Sequence, residues 1–316
     1  MKILIAPPHR VTLIAVAIAT TIGCGTPKPA ADVETPVARE AASAPLPYVY
    51  PPPVKGHFED PDRGVFECVD GIAYSAPGGT GTIIYVTSKP IASPVLAGSP
   101  CPVTMSRALV QLRGASYLEV PYNAEGKSSY FASGTPGGGT GRESETPGRP
   151  YWSVEPRTAG DGRVAGSVSY PGKGRFEFDL PLLKAAAHEV GEGDRSQGRR
   201  AGEGAPTPTE QQVLDAYSAI HKAARARDLA ALLAAQGFDA AQIAAIRGLA
   251  SIDEDFALFA DRFLDPGTTE GLTLETGYAG VGGRGTNSKG KSFFNFYEFA
   301  TCGDGFLLIS LYENPQ

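Results

Sequence analysis

Hydrophobic spacing changes several times along the 316-residue chain, and each change predicts a different kind of structure. Residues 11–22 are an unbroken apolar run. Residues 24–55 are rich in Pro and Ala, end in "PLPYVYPPPVKG" and have no apolar period, which predicts an extended, polyproline-like tether without a core. From 56 to about 190 the period is two. "GTIIYVTSK" (81–89) is β-branched and aromatic, "ALVQLRGASYLEV" (108–120) alternates in two bursts, and "GRVAGSVSYPGKGRFEFDLPL" (162–182) reads as two strands joined at Pro171-Gly172-Lys173-Gly174. The interval 132–150, "ASGTPGGGTGRESETPGRP", has nothing apolar to anchor it and reads as a loop, and a short helix is expected to begin at "PLLKAAAHEV".

Residues 191–208, "GEGDRSQGRRAGEGAPTP", are the second linker, and after them the period becomes helical. Thr209 and Gln212 form a capping-box pattern, with Val213, Leu214, Tyr217, Ile220 and Ala224 following on one face. "LAALLAAQG" stops at Gly237. Asp239 and Gln242 repeat the cap, and Phe256, Phe259 and Phe263 sit at helical spacing before Pro266-Gly267. That aromatic stripe reads as core rather than as a ligand cavity. The last part returns to strands: "LTLETGYAGV", "KSFFNFYEFAT" and "GFLLISLYEN", the last two joined across Cys302-Gly303-Asp304-Gly305.

The organisation expected is therefore α+β: a β-rich, sandwich-like domain over 56–190, a linker over 191–208 and a helices-then-antiparallel-sheet domain over 209–316. The 56–190 stretch resembles the β-sandwich domain of some bacterial cell-envelope lipoproteins, in which a strand ending "VDG", here Val69-Asp70-Gly71, precedes aliphatic strands. The 209–316 stretch resembles NTF2-like (SnoaL-type) domains, where a helix and a "gD" step precede a curved sheet whose last hairpin carries a dG-x-W turn. Asp228 stands at the step, and Asp304-Gly305-Phe306 at the turn with Phe for Trp. The resemblance implies an α+β cone. The acid-base pairs of enzymes in that family have no matching positions here, so it implies no catalytic residue.

The N-terminus carries the most specific signal. Lys2 and Arg10 precede the apolar run and small residues follow it, the pattern of a secretory signal over 1–23. A membrane span is the alternative, but the run is about a dozen residues where about 20 are needed. Thr21-Ile22-Gly23-Cys24 resembles the lipobox of bacterial lipoproteins, which implies lipidation of Cys24. Gly25 rather than Asp after it implies sorting to the outer membrane, facing the periplasm.

Composition narrows the function without naming it. Lys plus Arg number 28 against 34 Asp plus Glu, a net charge of −6, so no basic stripe is present to neutralise phosphates and no nucleic-acid partner is expected. "GTNSKGKS" (285–292) matches the phosphate-loop pattern and "GVGGRG" (280–285) the dinucleotide pattern, yet aromatic, β-prone residues follow where a helix is required. Both are expected to belong to a solvent-exposed hairpin, with Asn287 tolerating positive φ and Gly285 and Gly290 supplying turn conformations, and no nucleotide is expected.

The chemistry-bearing residues form no constellation. His9, His57, His188 and His221 are scattered, and Asp253, Glu254, Asp255 and Asp261 lack calcium-loop spacing and read as helix N-terminal charge. No metal, cofactor or catalytic residue is expected. Export would place Cys68, Cys101 and Cys302 in an oxidising compartment, and a Cys68–Cys101 disulfide is expected because both fall in the first domain, with Cys302 free or intermolecular. Three unpaired cysteines are the alternative. The function these features imply is a lipid-anchored envelope protein with a non-catalytic binding or structural module for an unidentified protein or small molecule. The alternative is a hydrolase or isomerase using a pocket in the C-terminal cone.

Overall fold

The computed structural model describes residues 47–60, 64–75, 81–128, 130–134, 141–144, 152–157, 159–160, 162–185, 189, 207–264, 269–287 and 289–315. The stretches expected as signal, lipobox with Cys24 and most of the tether, and nearly all of the expected 191–208 linker, lie outside them. The described residues fall within one compact unit.

Ten strands form one mixed sheet. They are β1 (Val54–Asp60), β2 (Gly64–Cys68), β3 (Asp70–Ser75), β4 (Thr82–Thr87), β5 (Tyr117–Tyr122), β6 (Tyr130–Gly134), β7 (Gly141–Ser144), β8 (Ser153–Arg157), β9 (Arg163–Tyr170) and β10 (Gly174–Leu183). The order is β2-β1-β10-β3-β4-β5-β6-β7, with β9 and then β8 on the other edge of β10. β10 joins the two limbs: Gly174–Phe178 pairs antiparallel with β1, while its last residues, Leu182 and Leu183, pair in parallel with Ala73 and Tyr74 of β3. One hydrophobic cluster collects Val54, Phe58, Val168, Phe176 and Phe178 from one limb with Ala73, Ile84, Val86, Leu118 and Val120 from the other.

The opposite face of β3–β5 carries Ile72, Tyr74, Ile83, Tyr85 and Tyr117, and these belong to a second cluster that runs on through the C-terminal residues. Between them lies helix α2 (Pro102–Arg113), which follows the single turn α1 (Ser93–Leu96). Every residue of α2 except Gln111 is buried. This corrects the strand reading of 108–120: only Tyr117–Tyr122 is strand. The polar residues Thr104, Ser106, Arg107 and Arg113 are buried along with the apolar ones, so burial does not follow polarity, and the 108–120 window joins the second half of this helix to the start of β5. The ends of α2 are still legible, Pro102 at the first turn and Gly114 at φ 59 closing it.

Helices α3 (Glu210–Arg225), α4 (Leu229–Ala235), α5 (Ala240–Arg247) and α6 (Ile252–Ala260) follow. Both expected capping boxes form, Thr209 with Gln212 and Asp239 with Gln242. A separate four-stranded antiparallel sheet closes the chain in the order β11 (Thr269–Glu275), β12 (Tyr278–Thr286), β13 (Ser292–Cys302), β14 (Gly305–Pro315). "LTLETGYAGV", expected as one strand, is instead a hairpin turning at Gly277, φ 69. Two further expectations change: Gly141–Ser144 is a strand rather than loop, and 181–183 continue β10 rather than opening a helix, with 186–188 outside the described residues. No helix among the described residues is long and apolar enough to cross a membrane.

The fold class is α+β, and the boundary expected at 191–208 does not separate two cores. α2 packs against β14 and α6, and the cluster that holds Leu109 and Leu112 also holds Leu232, Phe256, Tyr297 and Leu307.

The cysteine expectation is corrected as well. Cys101 bonds Cys302, across 201 positions of sequence, with Cα atoms 5.7 Å apart, and Cys68 is a buried free thiol. Cys68 belongs to the cluster on one face of the large sheet, while Cys101 introduces α2 on the other, so β3–β5 stand between them. Burial pushes the Cys68 thiol up to about 12, and the Glu67 charge adds to the effect. The folded state then holds a proton that the unfolded thiol, near pKa 8.5, gives up. From pH 8 to pH 10 the wild type is expected to lose about 2 kcal/mol of stability relative to Cys68→Ala. Urea unfolding at the two pH values checks this, and parallel curves for the two proteins would refute it.

Candidate functional site

Asp70 opens β3 and is fully buried. Its Oδ1 accepts hydrogen bonds from the Gly71 amide at 2.7 Å and the Ser93 hydroxyl at 2.5 Å. Its Oδ2 accepts from the Ile91 amide at 2.6 Å and from the Tyr50 hydroxyl. Burial raises the Asp70 pKa, and the bonds from Ser93, Tyr50, Ile91 and Gly71 oppose that rise. Tyr50 is pushed upward by burial and then by the Asp70 charge. The Tyr50 oxygen also accepts from the Ala92 amide at 3.1 Å, and Ala92 sits at φ 56, a left-handed conformation that a non-glycine residue holds only where its surroundings impose it. One carboxylate thus ties together 50, 70–71 and 91–93. With donors on both oxygens and no exposure, it holds backbone in place rather than serving as a base.

Gly71 is part of the same arrangement, because a Cβ there would lie 2.3 Å from the Tyr85 carbonyl oxygen and 3.0 Å from the Val86 Cα. Those are backbone atoms of the paired strand and cannot swing aside. Gly71→Ala is therefore expected to cost about 2–3 kcal/mol in chemical denaturation, although alanine has no lower strand propensity than glycine. An unchanged midpoint would contradict the close approach.

A second polar cluster lies where α2 ends and α6 begins. Arg113 donates through Nε to Asp255 Oδ2 at 2.8 Å, through Nη1 to Pro90 O at 2.8 Å and through Nη2 to Ala250 O at 2.8 Å. Lys89 Nζ reaches Asp255 Oδ1 at 2.6 Å and Arg113 O at 2.9 Å. Arg113 and Asp255 side chains are 3% and 6% exposed, and Lys89 38%, so the inner pair is shielded and the lysine only partly so. Asp253, Glu254 and Asp255 occupy the first turn of α6, as their spacing implied. That Asp255 also neutralises an arginine 142 positions away was not legible. Asp261 is not N-terminal charge but pairs with Arg227 past the other end of α6. Beside this cluster an open cleft of about 400 Å³ is lined by Pro47, Arg247, Gly248, Ser251, Asp253 and Glu254, among others.

The inner face of the C-terminal sheet is filled by rings. Tyr217 and Tyr297 meet edge-on at 5.0 Å, Phe263 lies 5.5 Å from Tyr297 and 5.2 Å from Phe259, and His221 lies 5.9 Å from Phe263. Phe256, Phe259 and Phe263 are buried, which decides the aromatic stripe in favour of core. His221 donates from Nε2 to the Leu264 carbonyl at 2.5 Å, and Asn295 Nδ2 donates to Arg262 O at 2.7 Å. His57 lies in β1 opposite Glu67 and Arg175, and His9 and His188 lie outside the described residues. Among the described residues no group of three His, Cys, Asp or Glu is placed to hold a metal ion.

The stretch 285–292 is a hairpin connection between β12 and β13. Lys289 and Lys291 are exposed, and no helix follows them. Gly290 takes φ 73 as expected. Asn287 acts differently from expectation: its side-chain oxygen accepts from the Lys289 and Lys291 amides at 3.0 and 3.1 Å, an Asx turn, and its φ is not positive. Gly285 is a regular strand residue opposite Phe293. The glycines of "GVGGRG" serve the sheet, since a Cβ at Gly280 or Gly282 would meet the ring of Phe296 at 2.4 Å or Phe294 at 2.9 Å.

Comparison with models of protein families, with curated proteins and with solved structures finds no match for this chain.

Proposed function

We propose that this chain is an exported protein, anchored through lipid on Cys24 to the outer membrane and facing the periplasm, whose 47–315 unit is a non-catalytic binding or structural module. The observation that carries export is the Cys101–Cys302 bond, because a disulfide that closes most of a domain belongs to an oxidising compartment, where a lipobox-bearing chain would be delivered. The non-catalytic reading is supported by how the buried charges are used. Asp70 and Asp255 have their oxygens committed to fixed donors, and the inner face of the C-terminal sheet holds packed rings where a cone enzyme would keep an open pocket.

We infer further that the first limb pair is sandwich-like and the last part an NTF2-like cone. In support of the second, helices precede a meander, Asp228 caps α4 by accepting from the Ala231 amide at 2.9 Å, and the final hairpin turns at Gly303-Asp304, with Gly305 and Phe306 opening β14 opposite Cys302 and Thr301. The unidentified partner is a protein or small molecule, and neither nucleotide nor nucleic acid.

Metabolic labelling with a fatty acid tests the anchor: label is expected on the wild type and absent from Cys24→Ser, which should leave the membrane fraction. A Cys24→Ser chain that remains labelled and membrane-bound would refute it.

A further inference from the structure

We propose that residues 47–53 form a clasp that opens as one stiff piece about Pro53 while the 54–315 fold stays closed, with the Tyr50–Asp70 hydrogen bond as its lock. The segment contains neither helix nor strand, and four of its seven residues are proline, so few backbone groups hold it. The Tyr48 amide donates to Gly248 O at 2.9 Å, and Val49 is 85% exposed. Consecutive prolines at 51–53 fix φ and make the piece a short lever. Its far end is pinned, because the Asp179 amide donates to Pro53 O at 2.8 Å and Val54 is already paired with Phe178.

The lock is built to be left. When the Tyr50 phenol departs, Asp70 keeps the Gly71 and Ile91 amides and the Ser93 hydroxyl, so no bare carboxylate is stranded in the interior. The Ala92 amide loses its acceptor, as does the Tyr48 amide when it leaves Gly248 O. Opening removes the wall that Pro47 contributes to the cleft at Gly248–Glu254 and frees the Gly248 carbonyl. It also releases residues 47–52, about 20 Å of extended chain at roughly 3.3 Å per residue. That gain in reach rests on the lipid anchor proposed above; the opening itself does not.

Amide hydrogen exchange on the Cys24→Ser chain tests the clasp without lipid attachment entering the result. The Tyr48 and Ala92 amides are expected to exchange through an opening at least about a hundredfold more populated than the one exposing Ile84 and Val86 in β4. That opening should be much less sensitive to low guanidinium than the one at β4, since it uncovers the packed faces of Tyr48 and Tyr50 and leaves the rest of the core closed. In Tyr50→Phe, exchange at Tyr48 and Ala92 should rise by roughly tenfold or more and keep the same weak denaturant dependence. Tyr48 and Ala92 following the same denaturant dependence as Ile84 and Val86 would overturn the clasp. A change under about twofold at Tyr48 and Ala92 in Tyr50→Phe would overturn the lock.

Discussion

Replacing Cys101 or Cys302 with serine is expected to lower the unfolding free energy by about 5 kcal/mol. The bond closes a loop of 201 positions, and the entropy that a cross-link removes from the unfolded chain grows with the logarithm of that length. Against a domain stability of about 5–15 kcal/mol, the loss is enough to leave a reduced chain partly unfolded at moderate temperature. The bond also holds elements together in the folded state, since it joins the start of α2 to the last residue of β13. Equilibrium urea unfolding with and without reductant measures it. Reductant should lower the wild-type midpoint to that of the Cys101→Ser/Cys302→Ser protein and leave the double variant unmoved. A wild type insensitive to reductant, with its thiols shown to be reduced, would contradict the expectation.

Asp255→Ala is expected to cost about 3–5 kcal/mol. The reason is less the lost attraction than what remains: Arg113, 3% exposed, keeps its charge with its counter-ion gone and water excluded. The Lys89 contribution is smaller, because at 38% exposure solvent screens it. The pairing makes a sharper claim than the single substitution. Removing both charges with Asp255→Ala/Arg113→Met should recover a large part of the loss, because the stranded guanidinium is what destabilises. If the double variant lost the sum of the two single effects, the cluster would not be a coupled buried pair.

How legible each feature was follows from the range of the interaction behind it. The capping boxes at Thr209 and Asp239 need residues three positions apart, and both formed where the sequence placed them. The 285–292 hairpin was legible for the same local reason, as aromatics at 293–299 favour strand over the helix that a phosphate loop needs. Its detail was not, since whether Asn287 turns through its backbone or its side chain depends on where the Lys289 and Lys291 amides come to lie. α2 misled because the 108–120 window joins the second half of a helix to the first residues of β5, and because tertiary packing buries Thr104, Ser106, Arg107 and Arg113 with the apolar positions.

The sequence alone thus determined the local elements with a polar face or a capping residue, the α+β class, and the absence of a helix behind the phosphate-loop pattern. The rest required the fold. Asp70 meets Ile91 and Ser93, Arg113 meets Asp255, and Cys101 meets Cys302 only because β10 joins two limbs of a sheet and α2 is enclosed between that sheet and the C-terminal part. Contacts at separations of about 20, 140 and 200 positions leave no period in the chain, and the same cysteines could have closed a different loop. Which faces of the sheet they occupy is a property of the packed structure, and it is those faces that kept Cys68 from Cys101.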